Sequence, residues 1–449
     1  MDMVTCLQCL HPTITRTTLR QFHRIALAMV VMTGRVTMLG LSRWAGSGGS
    51  YRTVQRFFAT VIPWATLFWV FFRQHVYRPG EVYLVAGDEV VATKAGKHTH
   101  GLDRFFSSLY GKPVPGLAFF TLSLVSVQQR RSFPLGVEQV MRSDAEKATS
   151  KAKAAARKPT GPGTKRRPGR PKGSTNHGKV PVMLTPELVR IQTMLTALLQ
   201  LIMAVLSVTY LVLDGHFGNH NALDMARQCG LPLISKLRCD AALYLPYIGA
   251  YAGRGPRRKY GHKIEYDHLP VQYLKETTMA GHIQTCVYQA HLLHKEFQHP
   301  LHVVIIAKTN LRTLSRAHVV LLSSDLALAY TALVDYYGLR FQIEFNFRDA
   351  KQYWGLEDFM HVTPTRVTNA ANLSLFMVNV AYQLRADGHA RDSDYSVLDL
   401  KADCRGAKYV EETIQMLPEK PEPVLLAKIL DHVASLGRIH VSQSSASFV

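Results

Sequence analysis

Acidic residues are scarce in this chain. Its 449 residues carry 53 lysines and arginines against 32 aspartates and glutamates, a formal net charge of +21. Such an imbalance calls for a polyanionic partner, with nucleic acid first, although a ribosomal or membrane-surface protein would share the charge. Cysteine is scarce too, with six scattered residues. Only Cys6 and Cys9 have the spacing of a metal knuckle, and no second pair lies near to complete a zinc site. Nothing suggests a disulfide framework, so a reducing cytoplasm is the expected setting. The N-terminus has no basic region followed by an apolar run, so no secretory signal is expected.

Long apolar runs are also lacking. Residues 58–72 fall short of the ~20 residues a span needs and contain Pro63. The run 191–213 is broken by Gln192, Thr193, Thr196, Gln200, Ser207 and Thr209, and reads as a buried helix followed by a core strand. No membrane partner is expected. With 47% hydrophobic and 19% charged residues, the chain is long enough for one large core with appended modules, or for two to three domains.

What is present centres on residues 336–359, YYGLRFQIEFNFRDAKQYWGLEDF, which read as one helix. At ~100° per residue, Tyr337, Arg340, Glu344 and Lys351 fall at about 0°, 300°, 340° and 320°, on one narrow stripe. An acid flanked by two cations and a phenol suits a site that holds a divalent metal and grips phosphates. An Arg–Glu pair on a solvated face, worth ~0.3–0.5 kcal/mol, would give the same pattern.

The spacing of Tyr337, Arg340, Glu344 and Lys351 resembles the Y-R-E-K signature of bacterial insertion-sequence transposases of the DDE class. That resemblance implies an RNase H-like mixed α/β sheet flanked by helices, with Glu344 as the third metal-binding carboxylate and two aspartates upstream. The strand EVYLVAGDEV brings Asp88 to its expected end; Glu89 is the rival, on the opposite face by alternation, and the resemblance favours Asp88. The strand SVTYLVLD ends on Asp214, with Asp224 a weaker rival inside the next helix. His216 and His220 imitate a metal pair, but phosphoryl transfer with magnesium calls for hard oxygen ligands.

Around this core at 80–390, residues 1–76 read as a helical N-terminal DNA-binding domain. Its Gly-rich turn at 46–50 leads into a helix capped by Ser50 and carrying Arg52 and Arg56. A basic arm occupies 143–181. From Lys147 to Lys179 it holds eleven basic residues, no acid and four prolines. Within it KRRPGRPKGS resembles an AT-hook, with Arg170 in an A·T-rich minor groove and Lys165, Arg166, Arg167 and Lys172 on phosphates. Thr185 and Pro186 then open a helix. Residues 240–300 form an expected β-rich insertion before the glutamate helix, presenting Arg254, Arg257, Arg258 and Lys259 to DNA. Residues 391–449 read as a helical tail without evident chemistry.

By the resemblance, Asp88, Asp214 and Glu344 hold two Mg²⁺ ions, for which Mn²⁺ can substitute. Tyr337, Arg340 and Lys351 grip DNA near the scissile bond. The expected partners are double-stranded DNA, as terminal inverted repeats and as target, and a second copy of the chain on DNA; no small-molecule substrate is expected. The expected activity is cleavage at transposon ends followed by 3′-hydroxyl strand transfer, and the alternative is an inactive, transposase-derived DNA-binding protein.

Overall fold

The computed structural model describes residues 3–107, 110–144, 146–148, 183–251, 253, 257–388 and 394–440. Five helices open it: α1 (Met3–Leu7), α2 (Arg16–Val31), α3 (Met38–Trp44), α4 (Tyr51–Ala59) and α5 (Trp64–His75). Thr15, Thr37 and Ser50 cap α2, α3 and α4, each side chain accepting a backbone N–H three residues on, the preferred use of Ser and Thr at that position. These helices do not enclose a core of their own. Phe22 of α2 packs against Phe57, Trp64 and, far along the chain, Phe376. The Trp64 indole N–H donates to Asn369 Oδ1 at 2.8 Å, while Asn369 Nδ2 donates to the carbonyls of Phe58 and Thr60. α4 and α5 are bent by 99°, and among the described residues no single helix is long and apolar enough to cross a membrane.

The sheet begins with β1 (Tyr83–Thr93), β2 (Asp103–Ser107), β3 (Lys112–Ser126) and β4 (Arg131–Gln139). Helix α6 (Pro186–Ile202), capped by Thr185 with proline in its first turn, leads to β5 (Val208–Leu213), α7 (His220–Gln228) and β6 (Leu233–Leu237). β4, β3 and β1 are antiparallel neighbours, while β1, β5 and β6 run parallel. The spatial order β4-β3-β1-β5-β6 is RNase H-like. The chain next adds β7 (Leu243–Pro246), β8 (Tyr260–Lys263), β9 (Leu274–Ala280), β10 (Ile283–His294), β11 (Leu301–Asn310) and β12 (Arg316–Ser323). Since β12 pairs with β6, this insertion continues the same sheet to 12 strands. Its far edge is thin, with no buried residue in β9 or the first half of β10.

Two expectations about backbone need correction. Asp88 does not end its strand, because β1 pairs with β3 as far as Thr93↔Gly116. What stops is the parallel ladder to β5, whose last pair is Gly87↔Leu213. Residues 336–359 are also not one helix. They are split between α8 (Tyr330–Leu339) and α9 (Gln342–Tyr353). The break follows Gly338, a poor helix former, where N–H groups of Phe341, Ile343 and Glu344 each bond three residues back, to Gly338, Arg340 and Phe341, the tighter 3₁₀ pattern.

Past Trp354 the chain turns sharply. Gly355 has φ +77°, and a Cβ there would lie 2.4 Å from the Val36 Cβ. The Val36 N–H donates to Asp358 Oδ2 at 2.8 Å, so the segment after α9 is clamped to the loop before α3. The long α10 (Pro364–Gly388) then runs through the core, and α11 (Val397–Gln415) and α12 (Pro423–Ser435) complete the described chain. Gly355→Ala is expected to destabilise the protein by about 2 kcal/mol or more, from left-handed strain and from the clash with Val36. Adding Val36→Ala should recover part of the loss in a denaturation cycle. An unchanged midpoint in the single variant would contradict this closure.

Candidate functional site

Asp88 and Asp214 are each the next residue after the last β1–β5 pair, so the ladder sets them side by side at its end. Gly87 makes the approach tight, since a Cβ on it would come within 3 Å of Phe120 and Leu213 side-chain atoms. Asp214 is fixed by its backbone: its carbonyl accepts from Ser235 Oγ at 2.6 Å, and its Oδ1 accepts from the His216 N–H at 3.1 Å. Glu344 reaches the pair from the first turn of α9. The link is Arg340, at the break between α8 and α9. Its Nη1 donates to Asp88 Oδ2 at 2.9 Å and its Nη2 to Glu344 Oε1 at 3.4 Å. Arg340 is 12% exposed and Asp88 22%. The Tyr337 ring lies 5.8 Å from the guanidinium, and its hydroxyl is held above its ordinary range chiefly by burial. Arg340 Nε is buried without an acceptor.

Burial pushes the Asp88 carboxyl up to about 6; Arg340 pulls it back, while the charges of Asp214 and Glu344 add to the rise. Those contributions place Asp214 and Glu344 each within electrostatic reach of Asp88. Three carboxylates carry more negative charge than one guanidinium offsets, and their oxygens are of the kind a divalent cation would take. Among the described residues no three ligating side chains are yet gathered to hold a metal, and Arg340 sits between two of the candidates.

Lys351 is not brought to this group. Its ammonium donates to the Val91 carbonyl at 2.7 Å and pairs with Glu357 at 3.0 Å, about 10 Å along α9 from Glu344 by helix rise. Beside it is a residue that the sequence reading missed, Lys94, which is 4% exposed. Its ammonium donates to the carbonyls of Leu356 and Glu357 and lies 3.8 Å from the Phe359 ring centroid. Burial pushes it down to about 8. Alternation along β1 puts Lys94 on the Asp88 side, a signal present in the sequence. Glu89 turns the other way, as expected. Burial and the nearby Glu187 raise its carboxyl, and Glu187 itself pairs with His216 at 3.3 Å. Asp224 lies within α7, bonded to Gln228. Trp354, just past the end of α9, is fully buried.

On the insertion, Arg257, Arg258 and Lys259 are exposed, with Arg258 over Tyr247 and Lys259 donating to the Gln298 carbonyl. Arg254 and the arm residues Lys165, Arg166, Arg167, Arg170 and Lys172 lie outside the described residues.

Residues 9–293 match the DDE superfamily endonuclease family, well over half of the chain. The chain belongs to that family. No curated protein matches it. The matched residues include Asp88 and Asp214 and end before Glu344. A DDE endonuclease acts on DNA, and enzymes of this type generally use divalent metals.

An acid with a raised pKa weakens the fold where it is ionised, so the stability that Asp88 costs is lost as pH rises from about 4 through about 6. Asp88→Asn is therefore expected to stabilise the metal-free endonuclease by about 1–2 kcal/mol at neutral pH, the gain vanishing below about pH 4. Thermal unfolding across that range checks it, and a pH-independent difference would contradict it.

Proposed function

We propose that this DDE endonuclease is a cut-and-paste transposase of the Y-R-E-K group, acting in a bacterial cytoplasm on the inverted repeats of its own element. The observation that carries the reading is the alignment of Asp88 with Asp214 at the end of the parallel ladder, with Glu344 tied to Asp88 through Arg340. In this reading Asp88, Asp214 and Glu344 would hold two Mg²⁺ ions, which would supply activation of the nucleophile and stabilisation of the leaving oxygen for an in-line displacement at phosphorus.

The remaining roles belong to side chains. Arg340 neutralises the acids before DNA arrives and then turns its guanidinium to a phosphate beside the scissile bond, which its unpartnered Nε favours. Tyr337 steadies that guanidinium from one side. Lys351, held by Val91 and Glu357, takes a phosphate farther along the strand. The N-terminal helices, with Arg52 and Arg56 exposed on α4, contact the element ends together with the insertion and the arm at 143–181. Pairing two ends calls for a homodimer on DNA.

The test is Mg²⁺-dependent nicking and strand transfer on a fragment carrying the element's ends. Glu344→Ala should lose both products by at least about a thousandfold while keeping end binding within a few-fold of wild type. Wild-type protein that binds the ends and yields no product with Mg²⁺ or Mn²⁺ would overturn the reading in favour of an inactive DNA-binding descendant.

A further inference from the structure

The reverse side of α9 carries a second arginine cluster that the proposed chemistry does not use. A cavity of about 390 Å³ lies between α9, the start of β4, α10 and the beginning of α11. Four arginines line it, Arg130, Arg131, Arg348 and Arg385, against one acid, Asp349. Asp349 pairs with Arg348 at 2.9 Å. Arg130 is held in the left-handed region at φ 51° and pairs with Asp335 of α8 at 2.9 Å. Among the described residues Arg385 donates to one carbonyl, that of Tyr395. Arg131 lies 5.1 Å from the Tyr382 ring centroid and makes no hydrogen bond or ion pair among the described residues. The cavity therefore keeps an excess of positive charge: Asp349 and Asp399 act on the Arg385 guanidinium from a distance, and Arg131 has no ion-pair partner among the described residues. Burial and the charge of Arg131 together hold the Arg385 guanidinium below its ordinary range.

The walls show a matching deficit. Trp354 and Asn379 both line the cavity and are buried to within 1% of full. The indole N–H of Trp354 has no acceptor, and Asn379 Oδ1 has no donor. An indole donor and two guanidiniums without a carboxylate partner at hydrogen-bond distance among the described residues, that of Arg131 exposed and that of Arg385 half-buried, with aromatic sides from Phe345 and Tyr353, supply what a phosphoryl anion needs: several donors around one cavity. Asn379 Oδ1 would accept from a phosphate hydroxyl or from a water the anion holds.

We propose that this cavity binds a phosphoryl group, from the DNA backbone or from a free phosphorylated molecule, through Arg131, Arg385 and the Trp354 indole N–H. Arg348, Asn346 and Gln342 line it from the same helix that presents Glu344 on its other side. Occupancy thereby braces that helix from behind. The inference stands independently of the transposase reading, since it rests on none of the three acids.

Two probes separate the sources: inorganic pyrophosphate titrated calorimetrically into the full chain at low salt, and a short duplex titrated over a range of salt. The variant is Arg131→Gln, whose side chain can be exchanged without breaking a hydrogen bond. Arg312→Gln, an exposed arginine in the turn between β11 and β12, is the control. Pyrophosphate binding weakened tenfold or more by Arg131→Gln and unchanged by Arg312→Gln would support a site for free anions. No pyrophosphate binding, together with duplex-induced slowing of hydrogen exchange over 342–354 that Arg131→Gln abolishes along with ~0.9 of the logarithmic salt slope, would support a backbone phosphate. Equal effects of the two variants, or none from Arg131→Gln with either probe, would overturn the proposal.

Discussion

The guanidinium of Arg340 is the contact on which the site depends. It joins Asp88 on a central strand to Glu344 on a helix more than 250 residues later in the chain, and it is 12% exposed. A largely buried ion pair contributes little net stability, because both charges must first leave water. The break between α8 and α9 follows from the same requirement: an unbroken helix would carry Arg340 along the stripe of Glu344, whereas the tight turns at 338–344 let it bridge to the sheet. The result is a cation already resident among the acids, in a position that suits competition with a metal and engagement of a phosphate.

Everything else holds the two ends of that bridge in place. The β1–β5 ladder fixes Asp88 and Asp214, and Ser235 secures the backbone of Asp214. Ile343, Phe347 and Ala350 anchor α9 in the main core. The stop at Gly355, the clamp from Val36 to Asp358 and the buried Lys94 then fix where the helix ends. The N-terminal helices share this core through Phe22, Trp64 and Asn369. Their packing thus bears on the helix that carries Glu344.

Much of this was legible in the sequence because it is written in short-range terms. Alternation marked the strands around Asp88 and Asp214, and Ser50 and Thr185 marked helix starts by capping chemistry. The resemblance carried by the residues around Glu344 implied an RNase H-like core. The misreadings came from long-range partners. The length of β1 is set by β3, which lies beyond the window in which a strand end is judged. A helix break after Gly338 looks like ordinary helix to a periodicity argument, since one glycine costs only ~1 kcal/mol. Lys351 shares the stripe of Glu344 in angle, but a helical wheel discards the rise that carries it toward Val91. The partners of Lys94, at Leu356, Glu357 and Phe359, and the arginine cavity behind α9 are assembled from distant segments, so local alternation gives the side on which Lys94 lies but not what buries it.

The central claim, that Asp88, Asp214 and Glu344 form a cation site which Arg340 fills in the absence of metal, is tested most directly by Mn²⁺ binding without DNA. Paramagnetic resonance titration would compare the wild-type chain with Arg340→Gln. Removing the resident cation is expected to tighten Mn²⁺ binding about tenfold or more, the equivalent of ~1.4 kcal/mol. Weaker binding in the variant, or no saturable Mn²⁺ in either chain, would contradict the claim.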